Sequence, residues 1–422
     1  MRKRFRFRLK LRRKTRDIFK WLYPGIGIKR WIGLSTFGVF LLIIGSSQLR
    51  TGEYWIIKTL DTITVVSGII ILILGIKRLT RSFIAALIPS SKSDGLVDIL
   101  YQKKQLGRGP KVVTVGGGTG LSVLLSGLKE YTSNITAIVT VADDGGSSGR
   151  LRQQFDMLPP GDIRNCLVAL ADAPALMRDL FQFRFDDNSE LSGHSFGNLF
   201  ITVMTRLTGD FEKAIKETSK VLALRGQVIP STLDNVALVA RHKDGSITEG
   251  EDKISKAHIP INKVSLKPIK PLATPEAIKA IEEAQIIVLG PGSLYTSIIP
   301  NLLIKEITDC IVFSNAIKVY VCNVMTQPGE TDGYRASDHI KVLVGHSHPR
   351  IVDYCILNSG GIPEEMLERY KQQNSYPVVD DRQNIENMGY RVVGEDLVIS
   401  ADVVRHDPLR LAKIILGFIE EI

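Results

Sequence analysis

Two long apolar runs open the chain. Residues 31–48 carry no charged side chain, and as a helix they reach about 27 Å, close to the thickness of a bilayer's hydrocarbon core. A second run ends at Ile76. Its uncharged part starts at Thr62, but residues 54–76 span a membrane if Lys58 and Asp61 lie near the interface. Trp31, Tyr54 and Trp55 stand where interfacial aromatic residues belong. Two successive runs of this length exceed the single short apolar region of a signal peptide. The pattern therefore predicts a two-helix transmembrane hairpin over residues 31–80.

Beyond residue 110 the periodicity changes. Short β-branched runs at 111–115, 135–141, 285–289 and 318–322 alternate with helical spacing such as Leu121, Leu124, Leu125 and Leu128. Strands alternating with helices predict an α/β fold, a parallel sheet with helices on both faces. The expected organisation is a basic arm (1–30), the hairpin (31–80), a connector (81–110) ending in Gly107-Arg108-Gly109-Pro110, and one large domain (111–422).

Charge narrows the function. Residues 1–30 hold 13 Lys/Arg against one acid, Asp17, and so account for more than the whole net charge of +10. The remainder is slightly acidic, which excludes a nucleic-acid-binding face on the large domain. Lys77, Arg78 and Arg81 follow the second run, whereas the loop between the runs offers only Arg50 and Lys58. The positive-inside rule then places both ends of the hairpin, and the large domain, on the cytosolic face of the cell membrane. The arm 2–16 interleaves cations with Phe5, Phe7, Leu9 and Leu11, a pattern suited to anionic lipid. Cys166, Cys310, Cys322 and Cys355 show no metal-ligand spacing, which fits buried thiols in a reducing compartment.

Candidate chemistry sits where strands should end. The strand 111–115 runs into Gly116-Gly117-Gly118-Thr119-Gly120 and then a helix, an order that lets phosphate oxygens reach free N–H groups at the helix start. Asp143 and Asp144 follow the second strand, at the distance where a carboxylate receives ribose hydroxyls or a divalent cation such as Mg2+. Leu121 occupies the third glycine position of a dinucleotide fingerprint, and no Walker lysine follows. Arg150, in Asp143–Arg150, and Arg164, one turn beyond Pro159-Pro160-Gly161-Asp162, are candidate phosphate ligands, with Asp162 read as a helix cap. His194 and Asn198 stand before an apolar helix. Gly290-Pro291-Gly292-Ser293-Leu294-Tyr295-Thr296-Ser297 repeats the strand–glycine–helix junction, and Asn323, Thr326, Gln327 and Glu330 crowd after the strand 318–322. Ligands of open parallel sheets bind beyond such carboxyl ends.

In order and spacing, the segments 116–121, 142–150, 159–165, 193–198, 290–297, 322–331 and 333–339 resemble the YvcK-like gluconeogenesis-factor family of the CofD-like (2-phospho-L-lactate transferase) superfamily. The resemblance runs from about residue 111 to the end and omits the hairpin. It implies a Rossmann-like domain with a deep cleft, homo-oligomeric, that binds a UDP-amino sugar of the UDP-N-acetylglucosamine type. It further implies a regulator of carbon metabolism, cell-wall precursor supply and cell shape, with cell-wall synthesis or regulatory proteins as partners. Gly117, Gly118 and Thr119 would line the phosphates, Asp143 and Asp144 a metal or acceptor side, and Tyr295 the uridine-sugar. Arg335 departs from the small hydroxyl residue expected in 333–339. A transferase of phosphoryl or phospholactyl groups, with Asp143 and Asp144 on a divalent cation, stays open as an alternative. A dinucleotide-dependent oxidoreductase is the third reading and lacks an evident acid–base pair.

Overall fold

The computed structural model describes residues 28–48, 54–87, 104–186, 190–400 and 403–420. The expectations for the basic arm up to residue 27, the loop at Arg50 and the connector 88–103 lie outside these residues. The chain forms two compact units, Met1–Gln102 and Lys103–Ile422. Residues 104–110 belong with the second: Leu106 is buried, and the Asn134 amide donates to the carbonyls of Gly107 (3.1 Å) and Gly109 (2.6 Å).

The first unit pairs α1 (Ile28–Gln48) with α2 (Trp55–Leu87). Both contain stretches long and apolar enough to cross a membrane, Arg30–Ser47 and Trp55–Thr80. Glycines seven residues apart on each helix, Gly38 with Gly45 and Gly68 with Gly75, let the backbones touch. A Cβ at Gly38 would stand 2.8 Å from Leu72 N, and one at Gly68 3.0 Å from Gly38 O. Such close packing is what holds helices together when lipid is as apolar as the side chains. Phe37, Phe40, Ile43, Ile63 and Ile73 point outward. Asp61 is buried on the face that packs against Gly45, and among the described residues its Oδ2 has no hydrogen-bond partner.

The second unit is built on a seven-stranded parallel sheet in the order β10-β9-β8-β7-β1-β2-β3. The strands are β1 (Val112–Gly116), β2 (Ile135–Val139), β3 (Gln227–Pro230), β7 (Ile286–Leu289), β8 (Ile317–Val321), β9 (Tyr354–Asn358) and β10 (Arg391–Glu395). Every residue of β1, β2 and β7 is buried, so both sheet faces are covered. Helices that position the site are α3 (Gly118–Leu128), α4 (Gly146–Phe155), α5 (Gly161–Leu170), α6 (Phe196–Thr208), α7 (Glu251–Ala257), α8 (Ala336–His346) and α9 (Pro408–Glu420). Two antiparallel additions were not signalled by the periodicity: a three-stranded sheet of β4 (Ala237–His242), β5 (Ile247–Glu249) and β6 (Ile261–Lys267), and a hairpin of β11 (Val398–Ser400) and β12 (Val404–His406).

The chain leaves β1 toward β2 on one side and returns through β7 on the other, so the strand order reverses between β1 and β7. That switch point is where the glycine turns after β1 and β7 stand. α3 follows from its leucines, since Leu121, Leu124, Leu125 and Leu128 are all fully buried, and α9 packs along it. At Gly127 the Pro408 carbonyl occupies the space of a side chain. Gly127→Ala is therefore expected to push α9 off α3 and to cost about 1–3 kcal/mol, read as a lowered urea midpoint.

Candidate functional site

Two glycine turns meet backbone to backbone at the switch point. Gly117 is extended and opens α3. A Cβ there would stand 2.5 Å from Asp162 Oδ2. A Cβ at Gly120 would stand 2.7 Å from the Pro291 carbonyl. The second turn is held by Asn323, whose amide accepts from Gly292 N (3.2 Å) and donates to Gly292 O (2.8 Å). Asn301 ties the first turn by donating to Gly116 O (3.2 Å). Beyond Gly118, whose N–H is taken by Asp162, the start of α3 at Thr119 and Gly120 borders a cavity of about 660 Å3.

The cavity is lined by Gly117, Gly118, Thr119 and Gly120 on one wall and by Gly292, Ser293, Thr296, Asn323 and Thr326 on the next. These nine sequence candidates come together. Ser293 Oγ bonds both carboxylate oxygens of Glu330 (2.9 and 3.0 Å), and Ser255 and Thr296 bond the same group (3.3 and 3.4 Å). Thr326 is partly committed, since its Oγ1 accepts from Tyr376 N (2.9 Å).

Other candidates stand elsewhere. Tyr295 is buried away from the cavity because its hydroxyl bonds that of Tyr334 (2.8 Å) and its ring packs edge-on to His346. Gly116 ends β1 inside the sheet. Asp144 Oδ1 accepts from Asp252 N (2.9 Å), so its carboxylate caps α7. Arg150 donates to Ser192 O (2.6 Å). Arg164 is buried against Gly197, and His194 and Asn198 both reach Ser147 Oγ, at 3.0 and 3.1 Å. Arg335 caps no ligand either; its N–H donates to Asp338 at the start of α8 (3.1 Å).

Asp162 is corrected from cap to cavity wall. Pro160 takes the N-cap position of α5, which carries Asp162 inward, where it accepts the Gly118 N–H. The periodicity also passed over Glu251, Tyr370, Arg405 and His406, all of which line the cavity. Arg405-His406-Asp407-Pro408 is one more polar junction between a strand and a proline-started helix, the signal that marked the other loops. Glu251 and Tyr370 come from helices whose exposed-looking sequences give no such sign.

The cavity is electrostatically divided. Burial, reinforced by Asp143, pushes Asp162 up to about 7. Burial and the charges of Asp143, Glu330 and Asp162 push Glu251 up to about 8. Asp143 and Glu330 are also raised by burial, partly offset by bonds from Gly145 N–H and from the Ser293 hydroxyl. His406 is held neutral, near 4, by burial. Arg405 brings a cation to the same space. Among the described residues no three acidic, histidine or cysteine side chains converge as a metal cage. Any divalent ion here would have to share its coordination with ligand oxygens.

The geometry defines an α/β protein of the switch-point class, with a glycine-rich strand-to-helix turn bordering a half-open cavity of mixed polar and apolar lining. Residues 112–398 match the family described as 2-phospho-L-lactate transferase CofD, and the chain belongs to that family. Within it the chain is similar to YvcK-like proteins. The "Gluconeogenesis factor" of Bacillus subtilis is 47% identical over 317 residues, 75% of this chain and 100% of its own. A relative from Nostoc sp. is 48% identical over 419 residues, 94% of this chain and 92% of its own. A crystal structure of a UPF0052-family protein from Bacillus halodurans, 47% identical, superposes with a TM-score of 0.71, covering 73% of this chain and 99% of that one.

Because Asp162 and Glu251 keep protons in the folded state that the unfolded chain gives up, their contribution to stability falls as pH rises from about 4 to 8. Asp162→Asn is expected to flatten that slope and to raise the melting temperature at pH 8. Melts across pH 5–8 decide it; an unchanged slope would mean the carboxyl is ionised throughout.

Proposed function

We propose that this chain is a membrane-tethered gluconeogenesis factor that binds a UDP-sugar in the switch-point cavity and regulates carbon metabolism, cell-wall precursor supply and cell shape. The observation that carries the reading is that two features line one cavity. The start of α3 at Thr119 and Gly120 suits a diphosphate, and Tyr370 with Arg405 supplies an aromatic ring and a cation for the rest of the ligand. The volume is that of a small-molecule site. The name gluconeogenesis factor, carried by the relatives from Bacillus subtilis and Halalkalibacterium halodurans, supports the carbon-metabolism part of the reading.

Calorimetric titration of the detergent-solubilised full chain with UDP-N-acetylglucosamine, with GDP and NAD as competitors, tests it. Binding of the UDP-sugar alone, weakened about tenfold or more in both Arg405→Ala and Tyr370→Ala, is expected. Tight GDP binding that requires Mg2+ would favour the second reading, a CofD-like transferase, for which the raised carboxyls Asp143 and Asp162 beside the phosphate turn speak. In that case Asp143→Asn would abolish turnover and retain nucleotide.

In this reading the large domain lies at the cytosolic face of the cell membrane, with Lys77 and Arg78, near the end of the second apolar helix, as the orienting charges. Recovery of the full chain in the soluble fraction without detergent would overturn this part. Self-association fits the surface. Leu176, Leu180 and Phe183, at i, i+4 and i+7, are exposed beside Val203 and Leu207. Arg178 and Asp179 on the same helix can pair with their counterparts across a two-fold axis. Leu176→Asp is expected to turn a dimer into monomer by light scattering.

A further inference from the structure

The turn 192–198 gathers cations that the cavity leaves unused. Arg150 Nη2 donates to Ser192 O (2.6 Å) and Arg184 Nη1 to Gly193 O (3.1 Å). The buried Arg164 lies under Gly197, where a Cβ would stand 2.7 Å from its Cδ. His194 Nδ1 is 3.0 Å from Ser147 Oγ. Among the described residues none of these three guanidiniums is paired with a carboxylate; Arg150 and Arg184 bond carbonyls, and Arg164 bonds the neutral Asn165 amide (2.6 Å).

Two helices begin at the same place. Asn198, in the first turn of α6, donates Nδ2 to Ser147 Oγ, in the first turn of α4 (3.1 Å), so the two N-termini face each other and add their partial positive charges. Among the described residues neither is saturated. Asn198, 2% exposed, leaves Oδ1 without a partner, and Arg164, 7% exposed, leaves Nε without one. The cluster opens to solvent at Gly146 and Gly193, both exposed, and nothing lies within 4 Å of a Cβ position at Gly146.

Unpaired guanidiniums and helix N-termini over an orphaned buried N–H supply charge and donors for a tetrahedral oxyanion. Arg164 meets Asp143 and Asp162 only through their field, with no direct ion pair, and a dianion would supply one to a buried cation. We propose that this cluster is a second ligand site, for a phosphate dianion (inorganic phosphate or a phosphate monoester), separate from the cavity. Arg150, Arg164 and Arg184 hold the oxygens, and Asn198 Oδ1 accepts from the P–OH of hydrogen phosphate or from a hydroxyl of the group that a monoester carries. Fully ionised sulfate has neither donor. The site does not depend on what fills the cavity.

The test is calorimetric titration of the full chain in detergent, at constant ionic strength, with inorganic phosphate, glycerol 3-phosphate and sulfate. Saturable binding of one or both phosphates, with sulfate weaker, is expected, and the monoester binding more tightly would identify it as the natural class. The doubly substituted Arg150→Ala/Arg184→Ala chain, changed only at exposed positions, should bind at least about tenfold more weakly. Non-saturating heats, equal for all three anions and unmoved by the substitutions, would mean an adventitious ion only and overturn the proposal. Phosphate binding lost in Arg405→Ala but kept in the double variant would place the anion in the cavity and overturn it equally.

Discussion

The site depends on one contact, the backbone-to-backbone meeting of two glycine turns between β1 and β7. No side chain fits where Gly117 faces Asp162 or where Gly120 faces the Pro291 carbonyl. Because the turns touch, the first turn of α3 is aimed into the cavity, and the loops after β7 and β8 are locked by Asn323 to the same point. A parallel sheet creates this crevice wherever its strand order reverses. What is particular here is that both turns bounding the crevice are stripped to glycine.

That much was legible in the chain. β-branched strands running straight into glycine clusters mark the sheet, its reversal and the phosphate-loop turn, and the hairpin follows from two uncharged runs. Boundaries moved little: the strand expected at 111–115 is Val112–Gly116. Tyr295 shows where the reading failed. A ring in a glycine-rich loop looks available, but a π-helical turn over Leu294–Ile298 rotates it onto Tyr334. Asp162 failed in the opposite sense, because proline before glycine suggested a cap two residues late. Tyr370 and Arg405 come from elements distant in sequence, and only the tertiary fold brings them to the wall.

The same limit explains Asp144, Arg150, Arg164, His194 and Asn198. Their polarity signalled a site, and the structure does gather them, but into the helix starts beside the cavity instead of the cavity wall. A linear motif records that residues share a neighbourhood. It does not record which side of an intervening segment each one faces. Here the segment 143–150 is that divide: Asp143 turns to the cavity, Asp144 to α7, and Ser147 to α6.

The division of charge follows from this arrangement. Carboxyls of Asp143, Asp162, Glu251 and Glu330 surround the cavity with their proton affinities raised, while Arg164 shares the field of Asp143 and Asp162 from the neighbouring cluster. An anionic ligand entering beside the α3 turn meets carboxyls that hold their protons to higher pH than free ones, Asp162 to about 7 and Glu251 to about 8, and grow more repulsive as pH rises through those values. By raising these acids, burial lowers the negative charge that an anion meets in the cavity, and Arg164 behind the wall offsets part of what remains at Asp143 and Asp162.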